Sequence, residues 1–353
     1  MVMLRRKTGR DLLENKGVYF ACVVVIAIGL MIYTTMSMVF ESMTKAQENF
    51  YSETHFADGF ISVTGYPEAK VNSLTYLSGI DQAEGRIVKD VRLIDQQKDS
   101  NRYLRMVSVN LTNPPKINQL RLITGQFPND NQPEILVDPQ FLAANHLSLG
   151  DPLNVIIEGQ QSTFYITGTA QSPEFVYIMR NGQDLYPSPV DFGIAYVPLS
   201  SLKVMVKEKG QVNDLVFTLK KGVSFDSVKD NLQVELKSSG LQSMVARKDQ
   251  TSNAVLTAKI AGMKSMATAL PVVFLGVAAF ILYSMLQRLI EQQRAAIGTL
   301  KAFGFTNREI IFTLSDLSLG YWNSWRLTGE FIRNRPFVSS NDLVQAVLCS
   351  ART

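Results

Sequence analysis

The stretch GVYFACVVVIAIGLMIYTTMSMVF, from Gly17 to Phe40, decides the architecture of this chain because it contains no charged residue. A helix needs about 20 apolar residues to cross a hydrocarbon core of about 30 Å. A second window, SMATALPVVFLGVAAFILYSMLQ from Ser265 to Gln287, is also uncharged and long enough. A core helix of a soluble protein rarely stays apolar on every face for so many turns. We therefore predict two transmembrane helices, over residues 18–40 and 265–287.

The first window is predicted to be an uncleaved anchor rather than a secretory signal peptide. Its apolar run exceeds the usual length of about 7–15 residues, and no small-residue cleavage site follows it. Basic residues cluster before the window, between Arg5 and Lys16, whereas Lys45 stands alone after it. Because basic flanks stay cytoplasmic, we expect a cytoplasmic basic N-terminus over 1–17, an extracytoplasmic segment over 41–264, and a multi-pass protein of the cell membrane.

The segment between the two windows mixes strand-like and helix-like patterns without strict βαβ order. It contains neither Cys22 nor Cys349, the only cysteines of the chain, so no disulfide holds it together. These patterns predict an α+β fold class, with two transmembrane helices bracketing a mixed α/β extracytoplasmic domain. The predicted strands are 60–63, 85–94, 102–109, 134–137, 153–157, 163–169, 191–197 and 215–220, and the predicted helices are 44–53, 68–77, 139–146, 225–238 and one running from 249 into the second span.

Residues that carry catalysis or bind metals are sparse. The chain has no Walker-type phosphate loop and no GxSxG motif. Its only histidines, His55 and His146, are interpreted as surface or turn residues. The acidic residues are interpreted as a solvated sheet face rather than as paired catalytic carboxylates, namely Asp81, Glu84, Asp90, Asp95 and Asp99. We therefore predict no catalytic residue, no metal site and no cofactor, and the dispersed net charge of +4 gives no sign of nucleic-acid binding.

The segment directly after the second window, EQQRAAIGTLKAFGFTNREI from Glu291 to Ile310, is amphipathic. Ile297, Leu300 and Phe303 recur at helical spacing and form an apolar stripe. Gly304 can adopt the left-handed conformation that ends a helix. A capping-box pattern follows within a few residues and predicts the start of another helix. The sequence thus predicts a short cytoplasmic helix, a tight turn and a new helix.

This segment resembles the coupling helix of the FtsX-like permeases of ABC transporters, in the MacB-type group. The resemblance rests on Gln293-Arg294, on the run from Ile297 to Ala302 and on Gly304, all directly after a predicted transmembrane helix. The order of a basic N-terminus, one span, a large outer domain and a second span agrees with the family. Family-like outer-domain segments are His55-Phe56-Ala57-Asp58, Gly125-Gln126-Phe127-Pro128, Glu134–Asp138 and Leu149-Gly150-Asp151.

The resemblance implies a MacB-like periplasmic core domain with helical stalks at 41–264, and a coupling helix with the start of an FtsX-like domain at 288–314. It also implies a permease subunit, itself not an enzyme, that pairs in the bilayer with a second permease subunit or with a copy of itself. A separate ABC ATPase subunit would hydrolyse ATP and drive movement of the outer domain (mechanotransmission) for export or extraction of a substrate. The residues implied to contact the ATPase are Arg294, Ile297, Leu300, Lys301, Phe303 and Gly304.

The resemblance ends near residue 314. Residues 315–353 contain no apolar run near 20 residues, and both tryptophans of the chain lie there. Because FtsX-like permeases continue with further spans, we predict a truncated permease whose 315–353 tail is out of frame or foreign, with a genuine short cytoplasmic tail as the alternative. Translation of the downstream DNA in the other frames tests this, since absence of further permease sequence would contradict the frameshift.

Other functions remain open on sequence alone. The segment after the second span could be an amphipathic helix that lies on lipid. The whole chain could be a two-span membrane receptor or scaffold with an extracytoplasmic ligand-binding domain. A membrane-anchored enzyme acting outside the cytoplasm is disfavoured because the chain lacks a recognisable catalytic constellation.

Overall fold

The structure of the protein is a computed structural model, which describes residues 16–94, 102–180, 187–207, 210–292, 294–302 and 304. The chain forms two compact units. One consists of residues 35–267, and the other contains the residues on either side of that range. The predicted tail, 315–353, lies outside the described residues. The helices are α1 (Lys16–Glu53), α2 (Pro139–Ala144), α3 (Leu199–Val206), α4 (Phe225–Leu236), α5 (Thr251–Gln292) and α6 (Arg294–Ala302).

The strands belong to a domain between α1 and α5, residues 54–250, which we call the head. Its strands are β1 (Gly59–Pro67), β2 (Ile80–Arg86), β3 (Val88–Leu93), β4 (Tyr103–Val109), β5 (Arg121–Gly125), β6 (Glu134–Val137), β7 (Pro152–Ile157), β8 (Gln160–Gln171), β9 (Phe192–Pro198), β10 (Gln211–Leu219) and β11 (Leu241–Ala246). We call the parts of α1 and α5 that lie in the same unit as the head, residues 35–53 and 251–267, the stalk.

Helices α1 and α5 are both long and apolar enough to cross a membrane. The windows that meet this condition lie in Val23–Glu53 and Thr251–Ser284, each with a mean hydropathy of 2.2. Large apolar side chains such as Phe20, Met31 and Phe280 are exposed on these helices. Exposed apolar side chains over this length suit contact with lipid tails.

The two apolar helices pack closely at Gly29. A Cβ atom placed on Gly29 would lie 3.0 Å from the Cβ of Phe274, so the absent side chain is what allows this approach. Small residues allow the same close packing between membrane helices in general.

Replacement of Gly29 by leucine is therefore expected to force the two helices apart and to destabilise their packing by about 1–3 kcal/mol. The thermal midpoint of the detergent-solubilised chain measures this loss. Gly276→Leu is the matched control, because a Cβ on Gly276 would meet nothing within 4 Å. An equal shift of the midpoint in both variants would contradict the packing role of Gly29.

The head contains two β-structures. The first is a four-stranded antiparallel sheet in the order β11-β1-β10-β2, which we call the sheet. In the second, the pairings run β3-β4-β9-β6-β8-β7, and the pairing of β7 with β3 closes the ring. We call this closed six-stranded structure the barrel; β5 is added outside it, on β8. Phe141, Leu104, Met106 and Phe164 are fully buried and belong to its core.

Many of the sequence predictions for the head are confirmed. The strands predicted at 102–109 and 134–137 are β4 and β6, and the predicted helix at 225–238 is α4 followed by a short 3-10 turn. The hairpin of β7 and β8 turns through Glu158 and Gly159, both with positive φ. Such a two-residue loop matches the right-handed twist of its strands. The α+β class with two bracketing apolar helices is confirmed as well.

Other predictions need correction. The single strand predicted over 85–94 is two strands, because the chain passes from the sheet to the barrel at Ile87. There the Asn213 side chain accepts from the backbone N–H of Val88 (2.8 Å) and donates to its carbonyl (2.8 Å), which ends the pairing with β10. The predicted helix over 68–77 is a 3-10 helix, Glu68–Tyr76. The prediction for 139–146 extends too far, and β5, β11 and α3 were not predicted.

Helix α2 begins at a buried carboxylate. Asp138 is only 2% exposed, and its side chain accepts from the backbone N–H groups of Gln140 (2.7 Å) and Phe141 (3.3 Å). These bonds satisfy donors at the first turn of the helix. Burial raises the pKa of Asp138 to about 6, although the two hydrogen bonds oppose that shift.

Asp138→Asn is expected to stabilise the protein at pH 7.5 and to have little effect near pH 4. The native pKa lies above the unfolded value of about 3.9, so the native state binds more protons between about pH 4 and 6. The free energy of unfolding contributed by Asp138 therefore falls as the pH rises through this window. Asparagine keeps an acceptor at the cap and removes the charge, a gain of at most about 3 kcal/mol at pH 7.5. Thermal unfolding of both proteins at the two pH values measures the difference, and an equal difference at both would contradict the assignment.

Candidate functional site: the membrane-proximal helix and the stalk base

The segment that was predicted to be a coupling helix contains the helix α6, which follows α5. Its bounds, Arg294–Ala302, place Arg294, Ile297, Leu300 and Lys301 within one short helix. Arg294 is exposed. Gly304 follows with φ of 88°, the left-handed conformation predicted from the sequence.

Part of the predicted contact set falls outside the described residues. Phe303, the last member of the predicted apolar stripe, lies there, as does the new helix predicted after Gly304. The assignment of α6 residues to ATPase contact stays a prediction.

A second polar cluster lies where the stalk joins the head. Arg247 precedes α5, and its guanidinium forms an ion pair with Asp58 (Nη2 to Oδ1, 2.7 Å). The same group donates to the carbonyls of Ala57 (2.8 Å) and Phe56, and its Cζ lies 5.3 Å from the centre of the Phe56 ring. The backbone N–H of Arg247 donates to the carbonyl of Asp58 (2.9 Å). We call Arg247 with Phe56, Ala57 and Asp58 the clamp; it joins the segment after α1 to the segment before α5.

The two stalk helices are also joined directly by Asn253, which is buried. Its side-chain oxygen accepts from the hydroxyl of Tyr51 (3.0 Å) and from the amide of Gln47 (3.4 Å), both on α1. Its side-chain nitrogen donates to the carbonyl of Arg247 (2.8 Å). One buried amide thus connects both helices and the clamp.

The first turn of α5 also contacts the segment that follows β8. The Gln250 amide donates to the carbonyl of Glu174 (2.8 Å), and the hydroxyl of Ser252 accepts from the backbone N–H of Tyr177 (2.8 Å). We call the clamp together with Gln250, Ser252 and Asn253 the stalk base; it contacts the sheet at the clamp and the segment that leaves the barrel after β8.

A buried ion cluster lies between the sheet and the barrel. Arg86, at the end of β2, binds Asp214 through Nε (2.5 Å) and binds both carboxylate oxygens of Glu174 (2.6 and 2.9 Å). Glu174 also accepts from the side-chain amide of Asn118 (3.2 Å), whose oxygen in turn accepts from the backbone N–H of Ala57 (2.8 Å). This cluster connects the clamp segment to the interior of the head.

The pKa values in the cluster depend on the fact that one arginine, Arg86, forms ion pairs with two carboxylates. Burial raises the pKa of Asp214 to about 6; Arg86 opposes the rise and Glu174 adds to it. The pKa of Arg86 is raised above its ordinary value because its two carboxylate partners outweigh the cost of burial. Arg86 therefore carries a fixed positive charge on which both carboxylates depend.

Sequence reasoning did not find Arg86, Asp214, Glu174 or Arg247. Their contacts join residues far apart in the chain, and no local spacing signals them. The interpretation of the acidic residues as a solvated sheet face also needs a correction, because Glu84 is partly buried. Burial raises the pKa of Glu84, which accepts from the backbone N–H of Lys116 (2.6 Å).

The structure also shows the surroundings of Asp90 and of the two histidines, which were interpreted from the sequence. Asp90 accepts from two of the guanidinium nitrogens of Arg105, Nε (2.7 Å) and Nη2 (2.9 Å), so this carboxylate is not simply solvated. Asp95 and Asp99 lie outside the described residues. His55 and His146 are exposed at positive φ, which confirms their interpretation as turn residues.

Comparison with known proteins relates this architecture to a family. The family model described as the MacB-like periplasmic core domain matches residues 19–234. The family model described as the FtsX-like permease C-terminal matches residues 268–315. No curated protein matches the chain.

Three solved structures resemble the chain at a TM-score of 0.33 each. The periplasmic region of MacB from Actinobacillus actinomycetemcomitans is 13% identical, covering 57% of this chain and 91% of that one. The extracellular domain of the noncanonic ABC-type transporter YknZ from Gram-positive bacteria is 13% identical, covering 53% and 100%. A domain of a permease protein from Porphyromonas gingivalis is 12% identical, covering 57% and 97%.

The MacB-like match covers more than half of the chain, and the FtsX-like match begins within α5 and includes α6. Two apolar helices bracket the head, as expected for a membrane protein with an extracytoplasmic domain. The chain belongs to the MacB/FtsX-type family of ABC-transporter permeases.

Proposed function

We propose that this chain is the permease subunit that couples ATP hydrolysis by a separate cytoplasmic subunit to movement of the head. In this proposal α6 is the coupling helix and docks on the ATPase. Arg294 and Lys301 supply charge pairing, while Ile297, Leu300 and Phe303 pack into a groove of the partner. The head then does mechanical work on a substrate outside the cytoplasmic membrane.

The observation that carries the proposal is the placement of α6. An isolated helix of nine residues is marginal in water, so a partner surface would stabilise it. The basic N-terminal segment supports a cytoplasmic N-terminus, which puts α6 on the same side as an ATPase. The same reasoning supports an extracytoplasmic head, with spans over 18–40 and 265–287. A second permease subunit or a second copy of this chain would complete the transporter.

Purification of the tagged chain from native membranes, with mass spectrometry of the proteins recovered, tests the proposal. We expect recovery of a nucleotide-binding ABC subunit, and we expect loss of that subunit when residues 291–305 are scrambled. A chain that inserts in the membrane but recovers no ATPase would contradict the coupling function.

A further inference from the structure

We infer that the Arg247 clamp is the joint through which displacement of the stalk is passed to the head, with Arg247 as its positioning residue. This inference rests on the proposed function and deepens it. All the contacts that support it lie within residues 35–267, the unit that contains the stalk and the head.

The first group of contacts holds the two stalk helices together. The Asn253 side chain bonds to Tyr51 and Gln47 on α1 and to the carbonyl of Arg247 next to α5. Hydrogen bonds are directional and weaken steeply with misalignment, whereas apolar contacts are not directional. A buried amide with several partners therefore opposes sliding of α1 against α5 at this level.

The second group of contacts holds the stalk to the sheet. Strand β1 begins one residue after Asp58, and β11 ends one residue before Arg247. The two strands are neighbours in the sheet, with Gly59 opposite Ala246. The ion pair of Arg247 with Asp58 thus lies where both chain connections enter the sheet. A displacement of either helix reaches the sheet through this point.

A further contact links the same joint to β10. Asp58 uses its second oxygen to accept from the backbone N–H of Leu219 at the end of β10 (2.8 Å). A single carboxylate therefore connects Arg247 to a third strand of the sheet. Removal of the guanidinium would leave Asp58 bonded to β10 and would leave the chain leading into α5 held at Arg247 by its backbone hydrogen bonds alone.

The chain contains a close match for the clamp that can serve as a control. Arg105 in the barrel also combines a carboxylate (Asp90), an aromatic ring (Phe192, 5.2 Å to its centre) and a backbone carbonyl (Arg180, 3.0 Å). Arg105→Met removes the same kinds of contact without touching the stalk base. Any effect shared by both variants reflects general stability rather than the joint.

The test measures distances between two spin labels in the full chain with its co-purified ATPase. The labels are placed on cysteines at exposed positions of the stalk (Glu48) and of α4 (Val234), after replacement of Cys22 and Cys349 by serine. In the parent and in Arg105→Met, we expect one distance that does not change when ATP is added, because stalk and sheet move together. In Arg247→Met, we expect a broader distribution that shifts on addition of ATP. Arg247→Lys keeps the charge but lacks the planar fork, so an intermediate distribution is expected.

The outcomes separate the inference from the proposed function. Unchanged ATPase recovery with a nucleotide-dependent shift only in the Arg247 variants supports the joint. Unchanged recovery with the parent distribution in Arg247→Met overturns the joint and leaves the proposed function standing. Absence of ATPase from the parent chain overturns the proposed function and, with it, the inference.

Discussion

Arg86→Met is expected to lower the free energy of unfolding of the head by about 3–5 kcal/mol, because it breaks a buried ion cluster by removing the shared partner. The methionine would leave Asp214 and Glu174 buried and close together with no positive charge between them. Desolvation of two carboxylates is then uncompensated, and each also repels the other. The side chains of Arg86 and Glu174 are only 11% and 10% exposed, so water can do little to screen them.

Measurement of the unfolding midpoint in detergent, by urea-dependent proteolysis or circular dichroism, gives the size of this effect. Arg105→Met is the matched control, because its ion pair with Asp90 is more exposed and is expected to contribute about 1 kcal/mol or less. A triple variant, Arg86→Met with Asp214→Asn and Glu174→Gln, removes the unpaired buried charges. It should recover part of the free energy of unfolding that Arg86→Met loses.

The effect of Arg86→Met should also depend on pH. Without the guanidinium, which opposes the rise caused by burial, the pKa of Asp214 rises further, so the native state takes up a proton that the unfolded chain releases. The free energy of unfolding of the variant therefore falls as the pH rises above the unfolded pKa of about 4. We expect a smaller loss at pH 5 than at pH 8, and an equal loss at both would show that the charges are not its cause.

How much of the structure could be predicted depends on how far apart in the sequence the interacting residues are. The spans and α6 were predictable because composition and helical spacing are local properties. The β7–β8 hairpin was predictable because Glu158 and Gly159 lie between two alternating segments. The split between β2 and β3 was not, since apolar alternation continues through Ile87 and only Asn213, on a distant strand, ends the first pairing.

The buried ion cluster and the clamp show the same limit more strongly. Arg86 lies 128 residues from Asp214 and 88 from Glu174, and Arg247 lies 191 residues from Phe56. A single sequence offers no spacing rule at such separations. An arginine was visible at each position, but its partners were set by the closure of the barrel and by the order of strands in the sheet.

The double charge reversal Arg294→Glu with Lys301→Glu is expected to abolish recovery of the ATPase. A hydrogen bond to a charged group contributes about 1.5–3 kcal/mol, so the loss of two such contacts alone weakens binding by roughly 10²- to 10⁴-fold. Repulsion between the new carboxylates and the partner's acidic groups would add to this. The measurement is the amount of ATPase recovered per tagged chain, at equal amounts of chain in the membrane.

Two controls make the result of this reversal specific to α6. Lys220→Glu with Lys221→Glu makes the same change in net charge at exposed positions after β10 and should leave recovery intact. Because basic residues after a span also influence topology, protease accessibility of the head must be the same in both double variants. If α6 instead lies on anionic lipid, the reversal would weaken binding to anionic vesicles while the amount of ATPase recovered stayed the same. That result would assign the charges of α6 to the membrane surface, and the contact with the ATPase would have to be sought elsewhere in the chain.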